Sequence, residues 1–162
     1  ILLLVITAGA AVAIYLRYFC KEYKEYTFKS DARNFTIKLK YNADFTLEED
    51  QGWEGGPDRE CSPTVGIRLY YKNDTNVINI YRSIPDLFFP EDVTNIEEMT
   101  TNNGMKLRIG KLDTGNKISY QFICYDNSEY PTDGGDIIFN DESAYEKYKD
   151  DISNMLKSVE FH

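Results

Sequence analysis

Phe35-Thr36-Ile37-Lys38-Leu39-Lys40-Tyr41 decides the fold. Its apolar residues fall at every second position, so Phe35, Ile37, Leu39 and Tyr41 share one face of an extended strand and Thr36, Lys38 and Lys40 the other. Such a strand is covered on one side only, as in an antiparallel sheet resting on a core. The same period recurs further on. Val65 to Tyr71 and Val77 to Tyr81 alternate around Lys72 to Asn76 (KNDTN), a run of turn-forming residues, and are expected to form a hairpin. Met105 to Lys111 and Lys117 to Tyr125 form a second one across Leu112 to Asn116 (LDTGN), where Gly115 can take positive φ. In its returning strand Ile118, Tyr120, Phe122 and Cys124 share a face.

Between these strands the periodicity lapses. Asn42 to Asp44 turns the chain, Phe45 to Leu47 starts a returning strand, and Glu48 to Pro63 (EEDQGWEGGPDRECSP) is a long loop of Gly, Pro and charge. Ile84 to Pro90 (IPDLFFP) leads to an expected short helix at Glu91 to Thr101, with acids in its first turn where the helix dipole is positive. Asp126 to Asp136 reads as a polar loop and Ile137 to Phe139 as a short strand. From Asp141 the period changes. Tyr145, Tyr148, Ile152, Met155, Leu156 and Val159 recur at three- and four-residue steps, one apolar stripe on a helix, with Lys147, Lys149, Asp150 and Asp151 turned outward and Asp141 as N-cap. The expected class is α+β, an antiparallel β-sheet flanked by helices.

N-terminal to the sheet, Ile1 to Leu16 (ILLLVITAGAAVAIYL) carries no charge, and Tyr15, Tyr18 and Phe19 gather around Arg17. Aromatic rings beside a cation are what a membrane interface selects. A spanning helix takes roughly 17 to 25 residues, so Ile1 to Phe19 is expected to be a transmembrane signal anchor, with the visible length a lower bound because the chain starts at Ile1. Ala8-Gly9-Ala10 and Ala11-Val12-Ala13 also suit signal peptidase, and a cleaved signal peptide is the second reading. Residues 20–30, including Lys21 to Tyr26 (KEYKEY), are expected to be a juxtamembrane neck that extends the membrane helix, and residues 31–162 the folded domain. Arg17, Lys21 and Lys24, read alone, favour a cytoplasmic C-terminal side. A short tail followed by one large domain is the layout of a signal anchor, which places the domain outside, on a single-pass membrane protein.

Composition excludes several functions. A net charge of −9 leaves no basic face for phosphate backbones, so no nucleic acid is expected as a partner. His162, the sole histidine, is the final residue and cannot hold a general base in place, which argues against histidine-based hydrolysis. Carboxylate pairs arise by chance among 27 acids. Asp126, Glu129, Asp133 and Asp136 with Gly134 and Gly135 suggest oxygen ligands for calcium, but match no EF-hand spacing and suit a solvated turn better. Cys61 and Cys124 lack a histidine partner for zinc. As a disulfide they would contribute about 4 kcal/mol by loop entropy; as two unpaired thiols they would simply pack.

Two apolar loop features are candidate binding surfaces. Trp53 stands among Gly52, Gly55 and Gly56, either presenting an anchor to a partner or folding back onto the core. Leu87, Phe88 and Phe89 lie in a connection where solvent is expected, either exposed or with one Phe stapling the helix that follows.

Asn34 to Tyr41, in which an aromatic leads an alternating run, and Met155-Leu156-Lys157-Ser158-Val159-Glu160-Phe161, a helix ending in Leu-x-Ser before a last short strand, resemble the opening and closing motifs of the PsbP-like and DcrB-like superfamily. The resemblance spans most of Phe35 to Phe161. Members often carry Pro and then Trp after the first strand, where this chain has Asn42 and Phe45, with Trp53 further on. The resemblance implies an antiparallel sheet flanked by helices and a non-enzymatic role, as in a photosynthetic accessory subunit, envelope lipoproteins and secretion-effector chaperones; it transfers no site residue. The expectation is therefore an extracytoplasmic binding or accessory module, without catalytic residues, metal or cofactor, contacting an envelope protein or small ligand through Trp53 and Leu87, Phe88 and Phe89. A carboxylate-dependent envelope hydrolase and a chaperone-like sheet that cradles an apolar segment are the alternatives.

Overall fold

The computed structural model describes residues 21–30, 34–50, 65–82, 89–125 and 131–162. In chain order these form β1 (Tyr23–Ser30), β2 (Phe35–Asn42), β3 (Thr46–Asp50), β4 (Val65–Tyr71), β5 (Asn73–Arg82), β6 (Val93–Thr100), β7 (Lys106–Asp113), β8 (Ile118–Tyr125), β9 (Pro131–Phe139), helix α1 (Glu142–Ser158) and β10 (Glu160–Phe161). The protein is mostly antiparallel β-sheet with one C-terminal helix. A small sheet has the order β1-β2-β10 and a large one the order β3-β4-β5-β9-β8-β7-β6. Among the described residues no helix is long and apolar enough to cross a membrane; Ile1 to Phe19 lies outside them.

The alternation of β2 does what its period implies. Phe35, Ile37, Leu39 and Tyr41 are buried, while Lys38 and Lys40 are exposed. The segment expected to be a neck is instead β1, paired along β2 with Phe28 opposite Ile37 and Tyr26 opposite Leu39. Its own alternation, Tyr26, Phe28 and Ser30 against Glu25, Thr27 and Lys29, explains why it pairs: Phe28 has 0% of its surface exposed.

A second correction follows at the end of β2. Phe45 to Leu47 does not return along β2; β3 joins the large sheet beside β4. The Asn42 side chain accepts a bond from Asp44 N–H (2.9 Å), turning the chain, and buried Phe45 crosses between the sheets against the rings of Tyr148 (5.4 Å) and Tyr71 (5.8 Å).

Both expected hairpins form, β4 with β5 and β7 with β8, and Gly115 has φ 73°. The helix expected over Glu91 to Thr101 does not; that stretch is the edge strand β6, paired with β7. Val93, Thr94, Ile96 and Thr100 are β-branched and suit a pleated surface, and this preference outweighs the acids that imitate a helix start. Two further acids serve the edge, where Glu97 and Glu98 next to a bulge discourage pairing with another chain.

The expected loop Asp126 to Asp136 is shorter than its composition suggests. β9 begins at Pro131 and occupies the centre of the large sheet between β5 and β8. Gly135 belongs there because the Phe122 ring and the Asn79 carbonyl of the two neighbouring strands occupy the space of its missing side chain. A Cβ on Gly135 would lie 2.5 Å from Phe122 Cζ and 1.8 Å from the Asn79 carbonyl oxygen. Gly135→Ala is therefore expected to cost about 2–3 kcal/mol, the upper part of the usual overpacking range, read as a lower urea midpoint with an unchanged slope.

Helix α1 starts where expected. The Asp141 carboxylate accepts from Ser143 N–H (2.9 Å) and Ala144 N–H (3.4 Å). Tyr148, Ile152, Met155, Leu156 and Val159 are buried on its stripe. Asp151 is a correction: it is not turned outward but 2% exposed, accepting from Lys21 Nζ (2.8 Å), Tyr23 Oη (2.6 Å) and Asn42 Nδ2 (3.1 Å). The C-terminal end of α1 lies against β2, with Ser158 Oγ accepting from Lys40 N–H (2.9 Å), and β10 continues that edge. The small sheet and α1 thus share one core with the inner face of the large sheet, where Ile67, Leu69, Ile78, Ile80, Ile137 and Phe122 are buried.

Candidate binding groove

Helix α1 covers only part of the inner face. Ile80 pairs across Gly135 to Phe122 and on to Ile109, so these residues face the same side of the sheet. Beyond β8 the helix leaves a groove of about 500 Å³ between itself and strands β6 to β8. Met99, Ile109, Tyr120, Ile152 and Leu156 give it apolar walls, and Glu97, Lys111 and Lys149 stand among its polar lining residues.

Local sequence shapes both sides. Tyr145, at the edge of the helical stripe, stacks on Tyr120 (5.3 Å between centroids, 20° between planes) and meets Phe139 edge-on at 5.9 Å. Burial, then the hydrogen bond with Tyr120, push the Tyr145 phenol far above its ordinary range, so this wall is neutral. On the far side, the β6 bulge between Thr94 and Glu97, with Asn95 at φ 50°, brings Ile96 to the lip. Gly110 leaves room for it: a Cβ there would lie 2.2 Å from Val93 Cγ1 and 3.2 Å from Ile96 Cγ1. Ile96 is 52% exposed, the large hydrophobic residue left in solvent among the described residues.

The lining mixes apolar side chains with a few charged ones. Glu97 is its single carboxylate among the described residues, and Lys149 is paired with Glu146, which raises the lysine's pKa. A carboxylate-pair mechanism needs a second acid across the cleft.

The candidates read from sequence fall elsewhere. Trp53, Leu87 and Phe88 lie outside the described residues. Phe89 is half-buried just ahead of β6 and does not line the groove; the stapling expectation fails with the helix it required. Of the acidic run, Asp126 and Glu129 lie outside the described residues, while Asp133 and Asp136 sit three apart on β9 and point to opposite faces, Asp133 towards Arg82 (3.4 Å) and Asp136 towards Tyr81 (3.4 Å). Among the described residues no group of three or more His, Cys, Asp or Glu is placed to hold a metal. Cys61 lies outside the described residues; Cys124 is a buried free thiol whose pKa is pushed up by burial and then by Asp133.

Sequence reasoning missed Ile96, Met99, Tyr120 and Tyr145 as site residues. The signal available was a mismatch of sizes, since one helix of modest length cannot cover the inner face of a wide sheet. Comparison of the chain with protein-family models, with curated proteins and with solved structures finds no match to any of them.

Proposed function

We propose that the protein is a membrane-anchored, extracytoplasmic binding module without catalytic activity, and that its groove takes the apolar part of a small amphipathic ligand. The observation that carries this reading is the cleft of about 500 Å³, part apolar and part polar, with exposed Ile96 at its lip. That volume falls within the range of small-molecule sites, and such sites combine apolar walls with a few polar groups that orient the guest. Lys111 and Lys149 suit an anionic head group, and an apolar tail would cover Met99, Ile109 and Leu156. The uncharged run Ile1 to Leu16 supports the membrane address, and a bilayer is a source of such ligands. The PsbP-like and DcrB-like resemblance belongs to the same reading; a sheet closed by a helix and a short last strand is in keeping with it.

The test is photolabelling of the full chain in nanodiscs with a diazirine-bearing twelve-carbon fatty acid, followed by mapping of labelled peptides. Label is expected to concentrate on β6, β7 and the Tyr145 to Leu156 stretch of α1, and Ile96→Asp to reduce it about fivefold. Ile96 is exposed, so the substitution is expected to shift stability by less than about 0.5 kcal/mol. Labelling spread evenly over the surface, or unaffected by Ile96→Asp, would sink the assignment.

A further inference from the structure

We propose a second site on the opposite face of the large sheet, a cavity at Asp136 that binds a small organic cation, an alkylammonium or a guanidinium. Register builds it. Asp136 on β9 pairs with Asn79 on β5 and with Gln121 on β8, and Asn79 pairs in turn with Arg68 on β4. These residues alternate with Ile80, Phe122 and Ile137 of the core, so they project away from the groove. Directly opposed side chains in such ladders stand about 4.5–5.5 Å apart at Cβ, which places an amide, a carboxylate and a second amide side by side across three central strands.

The unsatisfied groups in this row are acceptors. Asn79 Oδ1 and Gln121 Oε1 are buried with no hydrogen-bond partner among the described residues. Among the described residues Asp136 receives one long bond, from Tyr81 Oη at 3.4 Å. The cation close by, Arg68, is bound to Asp50 at 2.6 Å. Burial accordingly pushes the Asp136 carboxyl up and the Tyr81 hydroxyl up to about 12. A buried acceptor without a donor costs on the order of 1–3 kcal/mol, and a guest carrying N–H donors and positive charge would remove that cost at Asn79, which lines the cavity beside Asp136, with Gln121 next along the row.

Size and ligand count separate an organic cation from a metal ion. The cavity, lined by Asp50, Arg68, Asn79, Tyr81 and Asp136 among others, holds about 240 Å³. That is room for about eight waters by liquid volume, more than a bare ion fills. Calcium takes about six to eight oxygens, several from carboxylates, whereas Asp136 offers one carboxylate here and Asp50 is engaged by Arg68. The Tyr81 ring adds an aromatic surface of the kind that attracts organic cations.

The experiment titrates the full chain in detergent micelles with n-butylammonium or methylguanidinium chloride, following the side-chain amide resonances of Asn79 and Gln121. Potassium and calcium chloride at equal ionic strength are the controls. Saturable shifts with the organic cations, a millimolar Kd, and at least tenfold weaker binding in Asp136→Asn are expected. Tyr81→Leu, the second variant should Asp136→Asn fail to fold, is expected to weaken binding about fivefold. Saturation by calcium and not by the amines would make this an inorganic site. A non-saturating response common to all salts, or amine binding unchanged in both variants, would equally overturn the proposal.

Discussion

Phe28→Ala is expected to lower the unfolding free energy of the domain by about 3–5 kcal/mol, as for other fully buried aromatic residues. The ring has none of its surface exposed, lies 5.9 Å from the Phe35 ring and sits opposite Ile37 in the β1–β2 ladder. Removing it opens a cavity where the small sheet meets the core, and an edge strand tied on one side has few other contacts to spread that loss. The control is Thr27→Ala, an exposed neighbour on the other face, expected to change stability by no more than about 0.5 kcal/mol. Urea unfolding of the full chain separates the two. A neck that merely spaces the domain from a membrane would leave both variants at the wild-type midpoint. With the large effect at Phe28, β1 belongs to the folded body, and three residues, Cys20 to Glu22, separate it from the proposed anchor Ile1 to Phe19. The groove and its lip would then sit on a body held close to the membrane surface.

What was legible in the sequence was whatever depends on short-range period. The alternations at Phe35 to Tyr41, Val65 to Tyr71 and Lys117 to Tyr125 and the stripe from Tyr145 to Val159 translate directly into strands and a helix, because each buries one face whatever its partner. Three features were hidden where charge or glycine has two meanings. Glu91 and Asp92 read as a helix start, yet the β-branched residues after them built an edge strand. Lys21 to Tyr26 read as a spacer because its charges mask Tyr26 and Phe28. Gly134 and Gly135 read as a loop, although Phe122 from the next strand lies over the space of the absent Gly135 Cβ. The groove was illegible for a different reason. Tyr120 and Tyr145 carry the same core-facing pattern as their buried neighbours, and only the position of α1 on the sheet decides that they line a cleft. The Asp136 row had a weak trace in the polar residues Asn79, Gln121 and Asp136, but its meaning depends on a register that no single strand contains.

Asp151→Ala is expected to cost about 3 kcal/mol at neutral pH, the low end of the range for breaking a buried ion pair. The figure is set low because Lys21 is about half exposed and can return to water. The loss would include three hydrogen bonds, from Lys21, Tyr23 and Asn42, that join the start of β1 and the end of β2 to the middle of α1. Asp151→Asn keeps the shape and removes the charge, and about 1–2 kcal/mol is expected. The pH dependence distinguishes a charge clamp from simple packing. Burial alone would push the Asp151 carboxyl up, but the bonds from Lys21, Tyr23 and Asn42, with the lysine's charge, outweigh it and hold the pKa below the ordinary value. A carboxylate depressed on folding contributes stability that is complete above its unfolded pKa, about 3.9, and is lost as pH falls through the lower folded value. The gap between wild type and Asp151→Asn should therefore be constant from about pH 5 to 7 and shrink below about pH 4. On the alkaline side Tyr23, pushed up to about 12 chiefly by its bond to Asp151, stabilises the fold while protonated. That contribution is complete below its unfolded pKa of about 10 and disappears as pH rises through its folded value. Asp151→Ala removes the cause of the Tyr23 shift, so the variant should lose less stability than wild type between neutral pH and pH 11. Urea midpoints taken across the pH range read both arms, and a wild-type to Asp151→Asn gap that stays flat down to pH 2 would show that the carboxylate is held by packing and not by its three donors.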